Sequence, residues 1–491
     1  MSERGRLDLA LVQPGSRMEV YQRLGSTLTA IEPPVWAGLL ATFARARGYA
    51  VEIVDAEAED LAPAEVAERL ATLAPRLAAV VVFGHQPSAS TQTMPAAGAI
   101  CAAVARRAPG LPTLLVGGHV SALPERTLRE EACDFVCQGE GPHTIVGLLE
   151  AQRAGGTGYD RVPGLWYREG EALRSTPPAP LLDDLDRDLP QMAWDLLPVP
   201  RYRAHNWHCF GFLDRRQPYA SIYTSLGCPY KCTFCCINSP FGKPGYRYRS
   251  ADSVIEEIDL LVQKHGVRNI KILDEMFVLN YRHVESVCDR IIERGHDLNI
   301  WAYARVDTVK EPILDRLKRA GINWLALGIE SGSQHVRDGA QKTFGRADIA
   351  ATVRAIQAAG INVIGNYIFG LPDDDHDTMQ ATLDLACELQ CEFANFYSAM
   401  AYPGSRLYDM ALAEGWPLPA AWSGYSQHAV DTLPLPTRFL SAAEVLRFRD
   451  RAFEIYFHRP EYLQMVGRKF GPETAAHVRE MASHRLERKH A

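Results

Sequence analysis

Four glycines set the rhythm of the second half of the chain. Gly266, Gly295, Gly321 and Gly360 each close a helical stretch, and each is followed by an apolar run: "VRNIKIL", "LNIWAYA", "INWLALGIE" and "INVIGNYIFG". Glycine is the residue that ends a helix in left-handed backbone without steric cost. Runs this short between helices read as strands. With "YASIYTSLG" before them and "FANFYSAMAYPG" after, the pattern predicts six β/α units. Six are too few to close an eight-fold barrel but enough for an open one. Its site would lie at the carboxyl ends of the strands.

The first 151 residues alternate in the same way. "LDLALVQPG", "YAVEIVDA", "LAAVVVFG", "PTLLVGG" and "CDFVCQGEG" are strand-like, and the helix between the first two opens on Pro33 and Pro34 and closes at Gly48. Continuous apolar strands separated by helices imply a parallel sheet covered on both faces, a Rossmann-like doubly wound arrangement. Residues 152–215 are turn-rich and read as a linker with a small hairpin around "PGLWYREGEALRS". The partial barrel spans 216–410, and a mostly helical region follows over 411–491. The fold class is therefore α/β, with two strand–helix modules and a helical tail.

A net charge of −7 gives no broad basic face, which argues against nucleic-acid binding. The basic end "HRLERKH" reads as a solvated helix terminus. No run is long enough to span a bilayer, and the start lacks an apolar signal segment, so a cytoplasmic setting is expected.

Four of the eleven cysteines crowd into "CPYKCTFCC". Without a secretory signal, reduced thiols are expected and a disulfide staple is disfavoured. Cys228, Cys232 and Cys235 give C-x3-C-x2-C directly after the first barrel strand. Three thiolates suit an iron–sulfur cubane with one open iron. Zinc is the rival, but structural zinc needs a fourth ligand and no second cysteine pair stands elsewhere. Cys236 reads as packing.

"CPYKCTFC" resembles the signature of the radical S-adenosylmethionine (SAM) superfamily. The resemblance implies a [4Fe–4S] cluster on Cys228, Cys232 and Cys235, whose fourth iron binds SAM through its amino and carboxylate groups. Reductive cleavage then gives methionine and a 5′-deoxyadenosyl radical. Carried over residue by residue, it implies SAM contacts from Phe234 near the adenine and from Asp274 and Glu275 in "ILDEMF". It implies further contacts from Arg305 in "YARVDT", from Glu330 and Ser331 in "LGIESGS", and from Gly370 in "IFGLP". A pairing of Arg305 with Asp307 is the alternative for that guanidinium.

"FGHQPSAS", "LLVGGHVSALPERTL" and "CDFVCQGEGPHTI" are similar to the cobalamin-binding domain that precedes this barrel in one radical SAM class. That similarity implies cobalamin contacts from His85, Ser88, Gly117, Gly118, His119, Gly139, Glu140 and Gly141. The chain lacks D-x-H-x-x-G, so no protein histidine is expected on the lower face of the cobalt. The implied activity is methyl transfer to an unactivated carbon or phosphinate phosphorus. Radical ring closure, ring contraction or oxidation with the same cofactors is the alternative. The implied partners are a small-molecule substrate and a flavodoxin- or ferredoxin-like reductant. Methylthiotransferases carry three further cysteines, which invites comparison with Cys101, Cys133 and Cys137, but these read better as core. An electron-transfer protein is the non-catalytic alternative. Tyr397, Tyr402, Trp416 and Trp422 are candidate pocket walls.

Overall fold

The computed structural model describes residues 7–86 and 89–491. Its strands are β1 (Leu9–Gln13), β2 (Val51–Asp55), β3 (Leu77–Val82), β4 (Thr113–Gly117), β5 (Phe135–Cys137), β6 (Leu165–Glu169), β7 (Ala172–Ser175), β8 (Tyr219–Ile222), β9 (Ser225–Leu226), β10 (Arg247–Tyr248), β11 (Asn269–Ile272), β12 (Asn299–Arg305), β13 (Ile322–Glu330), β14 (Asn362–Phe369) and β15 (Phe393–Ser398).

The N-terminal sheet runs β2-β1-β3-β4-β5-β6-β7. Its first five strands are parallel. Successive side chains of a strand point to opposite faces, and here both faces are buried. Leu9, Leu11, Leu77, Ala79 and Val81 join one core layer, while Ala10, Val12, Ala78, Val80 and Val82 join the other. The strand order reverses between β1 and β3, so the carboxyl ends of these two strands flank the crevice where such sheets take ligands. The expected hairpin is β6–β7. It does not stand apart as a linker: β6 pairs antiparallel with β5 and extends the sheet.

The rest of the expected linker is a brace between the two modules. Tyr202 Oη donates to buried Asp55 at 2.8 Å. Glu257 in the barrel accepts from the Met192 N–H at 2.9 Å and from Trp194 Nε1 at 2.8 Å. The same carboxylate pairs with Arg249 at 2.6 Å, with both side chains almost fully buried. A buried pair is tolerable when each remaining lone pair and proton is engaged, and these are.

The second sheet has the order β15-β14-β13-β12-β11-β8, all parallel, which is the predicted open barrel of six strands. All four punctuating glycines have positive φ, from +63° to +84°. A Cβ on Gly321 would also lie 2.6 Å from the Leu298 carbonyl oxygen, so this position needs glycine twice over. The helix Ala442–His458 opens on a capping box between Ser441 and Glu444 and packs over β15 and β14.

The C-terminal basic stretch corrects its reading as a solvated helix end. The last helix stops at Ser483, and the following residues run without helix over the surface. Arg488 is buried by an ion pair with Asp450 at 2.9 Å and by bonds to the carbonyls of Gln427 and Ala429.

Candidate functional site

The cysteines lie in a loop that the chain closes on itself. After β9, Gly227 turns with φ +85°, and β10 returns antiparallel to β9. A Cβ on Gly227 would meet the Gly245 oxygen at 2.8 Å, so the loop's two ends close only around a glycine. Arg247 at the returning end pairs with buried Glu140 of the first module, whose carboxylate also accepts from the Leu182 N–H at 3.0 Å. The cysteine loop is thereby anchored to the N-terminal sheet.

Cys228, Cys232, Cys235 and Cys236 line one cavity of about 310 Å³. Burial pushes the Cys228 thiol up to about 11 and the Cys235 thiol well above its ordinary value. Arg305 directs one terminal nitrogen at Cys232 Sγ, 3.7 Å away. Its other nitrogens hold Asp307 bidentately at 2.9 and 3.0 Å, so the pairing foreseen as the alternative is made.

Glu275 and Glu330 also line this cavity. Glu275 Oε2 has no hydrogen-bond partner, and burial pushes the carboxyl up to about 8. A carboxylate held this way is an unfilled acceptor awaiting a donor. Glu330 sits at φ +66°, an uncommon backbone for a residue with a side chain. It pairs with Lys342, which also donates to the Gly328 carbonyl at 3.3 Å. Phe234 lies on the same wall, with the Lys342 ammonium 5.8 Å from its ring centre.

Three of the expected SAM contacts stand outside the cavity wall. Asp274 is fully buried beneath the cavity, not in its wall. Its oxygens accept from the Thr224 N–H at 2.7 Å, from Thr224 Oγ1 at 2.6 Å and from Ser225 Oγ at 2.6 Å. Ser331 is buried with Oγ against Thr382 Oγ1 and the Ser333 N–H, at 3.1 Å each. Gly370, at φ +82°, serves packing: a Cβ there would stand 2.4 Å from Val445 Cγ1.

The cavity's far wall comes from the first module: Trp36, Phe83, Gly84, His85, Gln86, Ser90 and Gly118. Of the expected cobalamin contacts, His85 and Gly118 face it, and Ser88 lies outside the described residues. The other five do not line it. Gly117 is needed where a Cβ would come within 2.2 Å of the Val82 oxygen, and Gly141 packs against Val116 and Leu40. Gly139 carries φ +134° outside the cavity wall, and Glu140 is taken by Arg247. His119 is buried, with Nδ1 at 3.2 Å from Thr91 Oγ1 and its ring edge-on to Trp422.

Residues 22–149 match the family model for the B12 binding domain, and residues 222–386 match that for the radical SAM superfamily. The chain belongs to the cobalamin-binding radical SAM enzymes. An uncharacterized methyltransferase of Pyrococcus horikoshii is 28% identical to this radical SAM enzyme over 458 residues, covering 93% of the chain and 94% of the relative. The anaerobic magnesium-protoporphyrin IX monomethyl ester cyclase of Cereibacter sphaeroides is 26% identical, covering 79% of the chain and 62% of the cyclase. Among solved structures, the radical SAM methyltransferase TsrM of Kitasatospora setae, with cobalamin and a [4Fe–4S] cluster bound, superposes with a TM-score of 0.71 at 18% identity, covering 98% of this chain and all of TsrM.

The cofactors of this radical SAM enzyme are a [4Fe–4S] cluster, SAM and cobalamin. The residues present fit them. Four thiols line one cavity: Cys228, Cys232 and Cys235 make the donor set a cubane takes, and Cys236, expected to pack, shares the wall. Opposite stands the first module's wall, where Gly84, Ser90 and Gly118 stand among Trp36, Phe83, His85 and Gln86. Cys101 and Cys133 are buried in one core layer and Cys137 in the other, so these three form no shared site. Among the described residues, no helix is long and apolar enough to cross a membrane.

Sequence reasoning missed Lys342, Tyr230, Ser398, Met400 and Gln427, which complete the wall. Gln427 clasps both backbone groups of Ser398, at 2.9 Å each, and reaches the site from a coil with no motif of its own. Of the candidate aromatic walls, Tyr397 and Tyr402 line the cavity. Trp416 packs in a satellite core, and Trp422 lies against His119.

Proposed function

We propose that the protein is a cobalamin-dependent radical SAM methyltransferase, acting on an unactivated carbon or phosphinate phosphorus of a small molecule. One observation carries this reading. The cluster-type thiols and the strand-end rim of the B12-binding domain face each other across a single cavity. A full-length relative described as a methyltransferase supports it. When bound, the cofactors supply a substrate radical and a transferable methyl group.

In this reading the chain's own residues bind and orient. Cys228, Cys232 and Cys235 hold the cluster. Glu275 offers its unpartnered oxygen to the SAM ammonium, and Glu330, held by Lys342, offers a second acceptor. Arg305 gives the one nitrogen not committed to Asp307 to the SAM carboxylate. Phe234 flanks the adenine, and His85 and Gly118 contact the corrin from the rim. A flavodoxin- or ferredoxin-like protein in the cytoplasm supplies the electron.

Anaerobically reconstituted enzyme, given methyl-labelled SAM and a strong reductant, is expected to release 5′-deoxyadenosine and to pass label to an acceptor. The Cys228→Ala/Cys232→Ala/Cys235→Ala variant is expected to do neither. Deoxyadenosine formed with no label in any product would favour the ring-closing alternative that the cyclase similarity raises. Absence of both products would remove the proposal.

A further inference from the structure

A second cavity of about 440 Å³ lies between the carboxyl ends of β1 and β3, the barrel strands and the C-terminal helices, and meets the first at Phe83–Gln86, Tyr303, Asn366 and Tyr397, which line both. Nothing in the proposed cofactor chemistry uses its barrel-side walls. These are aromatic: Trp207, Trp301, Tyr303, Phe393, Phe396 and Tyr397. Trp301 is 3% exposed, and the Tyr219 hydroxyl stands beside its indole N–H.

The charged side chains that line the cavity balance, four cations against four carboxylates, and an excess enters only with Arg488, which pairs with Asp450 without lining the cavity. At one end Lys271 is neutralised by Glu32 at 3.1 Å, beside His85. At the mouth Arg17 pairs with Glu57 at 3.2 Å, and Arg485 with Glu454 at 3.7 Å. At the other end two buried guanidiniums share one carboxylate. Asp450 accepts from Arg449 at 2.7 Å and from Arg488 at 2.9 Å. Arg449 lines the cavity and donates Nε–H to the Phe396 carbonyl at 2.8 Å. Among the described residues, no acceptor engages its second terminal nitrogen. The Arg449–Asp450–Arg488 cluster therefore carries one positive charge in excess beside the aromatic walls. Burying an unbalanced cation is costly, and an anionic ligand group offsets that cost.

We propose that this cavity is the substrate chamber and takes a planar aromatic molecule bearing a single anionic group, which Arg449 holds while the ring lies between the aromatic walls. The proposal rests on the enzyme reading above and names its substrate class. A polyanion would outweigh the one excess charge.

The test is calorimetric, on protein loaded with cluster and cobalamin and kept without reductant, with 2-naphthylacetate as probe. Saturable sub-millimolar binding is expected, and the neutral isostere 2-naphthylacetamide should bind about tenfold or more weakly, the weight of a charge-assisted hydrogen bond. Arg449→Met should abolish the preference for the acid while leaving amide binding in place. Asp450→Asn should strengthen acid binding, and so covers the case in which the arginine variant does not fold. Trp301→Phe should weaken both probes. Equal affinity for acid and amide, or no saturable binding of the acid, overturns the proposal. The triple cysteine variant should still bind the acid; wild-type protein that binds the acid yet releases no 5′-deoxyadenosine under reductant would sink the enzyme reading and leave the chamber standing.

Discussion

Asp274 and Glu275 are adjacent carboxylates at the end of one strand, and the structure gives them opposite work. Asp274→Ala removes three acceptor contacts made within 2.7 Å to Thr224 and Ser225, just before the cysteine loop. Each buried donor left open costs about 1–3 kcal/mol. The two hydroxyls recover part of this by rotating, since Thr224 Oγ1 already lies 2.9 Å from His283 Nε2. The Thr224 N–H cannot rotate. A net loss of about 3–5 kcal/mol follows, in the range seen when a buried charged network loses one member. Glu275→Gln removes a carboxylate that has one oxygen unpartnered, so it should leave stability unchanged or raise it. The assay is urea unfolding of both variants, with iron content and SAM affinity measured on the reconstituted proteins. Asp274→Ala should unfold earlier and load less iron, yet bind SAM normally wherever the cluster forms. Glu275→Gln should keep its iron and lose SAM affinity. Full stability with lost SAM binding in Asp274→Ala would refute the assignment, because it would make this residue the SAM ligand.

Other perturbations have equally definite outcomes. Gly370→Ala should destabilise the packing of the helix Ala442–His458 by about 2 kcal/mol or more, from a Cβ 2.4 Å from Val445 together with a positive φ, while the SAM affinity of the folded fraction is unchanged. Burial pushes Asp55 up to about 7, against the opposing bonds from the Ala58 N–H and Tyr202. Such an acid takes up a proton on folding, so the Asp55 contribution to stability is fully present below about pH 4 and is lost as pH rises to about 7, by about 4 kcal/mol at most. Asp55→Asn should flatten that slope in denaturant titrations run across pH. Truncation after Ser483 removes Arg488 and leaves Asp450 with Arg449 alone, so it should weaken naphthylacetate binding and lower the unfolding midpoint.

What could be read from the chain was whatever is fixed by local spacing. Helix-ending glycines before apolar runs gave the six barrel strands because a left-handed C-terminus is a property of a few consecutive residues. The cysteine motif was legible for the same reason. The choice between Asp274 and Glu275 was not, because neighbouring residues at a strand end point to opposite sides and the sequence does not say which side is the lumen. Several glycines expected to admit a cofactor turned out to admit protein instead: Gly117 clears the Val82 oxygen, and Gly370 clears Val445. A missing side chain reads the same whether the space is filled by a ligand or by another strand. Lys342, Arg449 and Gln427 come from distant elements that only tertiary packing brings to the walls. The C-terminal tail was misread because a basic run is ordinarily solvated, and the carboxylate that captures Arg488 lies 38 residues upstream.

The junction between the two modules is built from buried charges whose partners lie on the opposite side. Lys271 stands on the floor of the barrel, yet its ammonium is held by Glu32 and by the His85 carbonyl at 3.1 Å, both from the N-terminal module. His85 in turn lies in the segment that lines both cavities. The registration of that segment is therefore set by the barrel and not by the sheet from which it emerges. Glu140 with Arg247 repeats the arrangement at another point of the seam, and Asp55 with Tyr202 ties the first module to the brace. Breaking one side of such a pair leaves a buried charge or acceptor unmatched, a larger penalty than the pair's own net worth. Sliding the modules apart would strand both charge pairs together. For chemistry that must hold a thiol-bound cluster and a strand-end rim at a fixed separation, this makes intermediate spacings costly: the two halves are either docked in register or not docked at all.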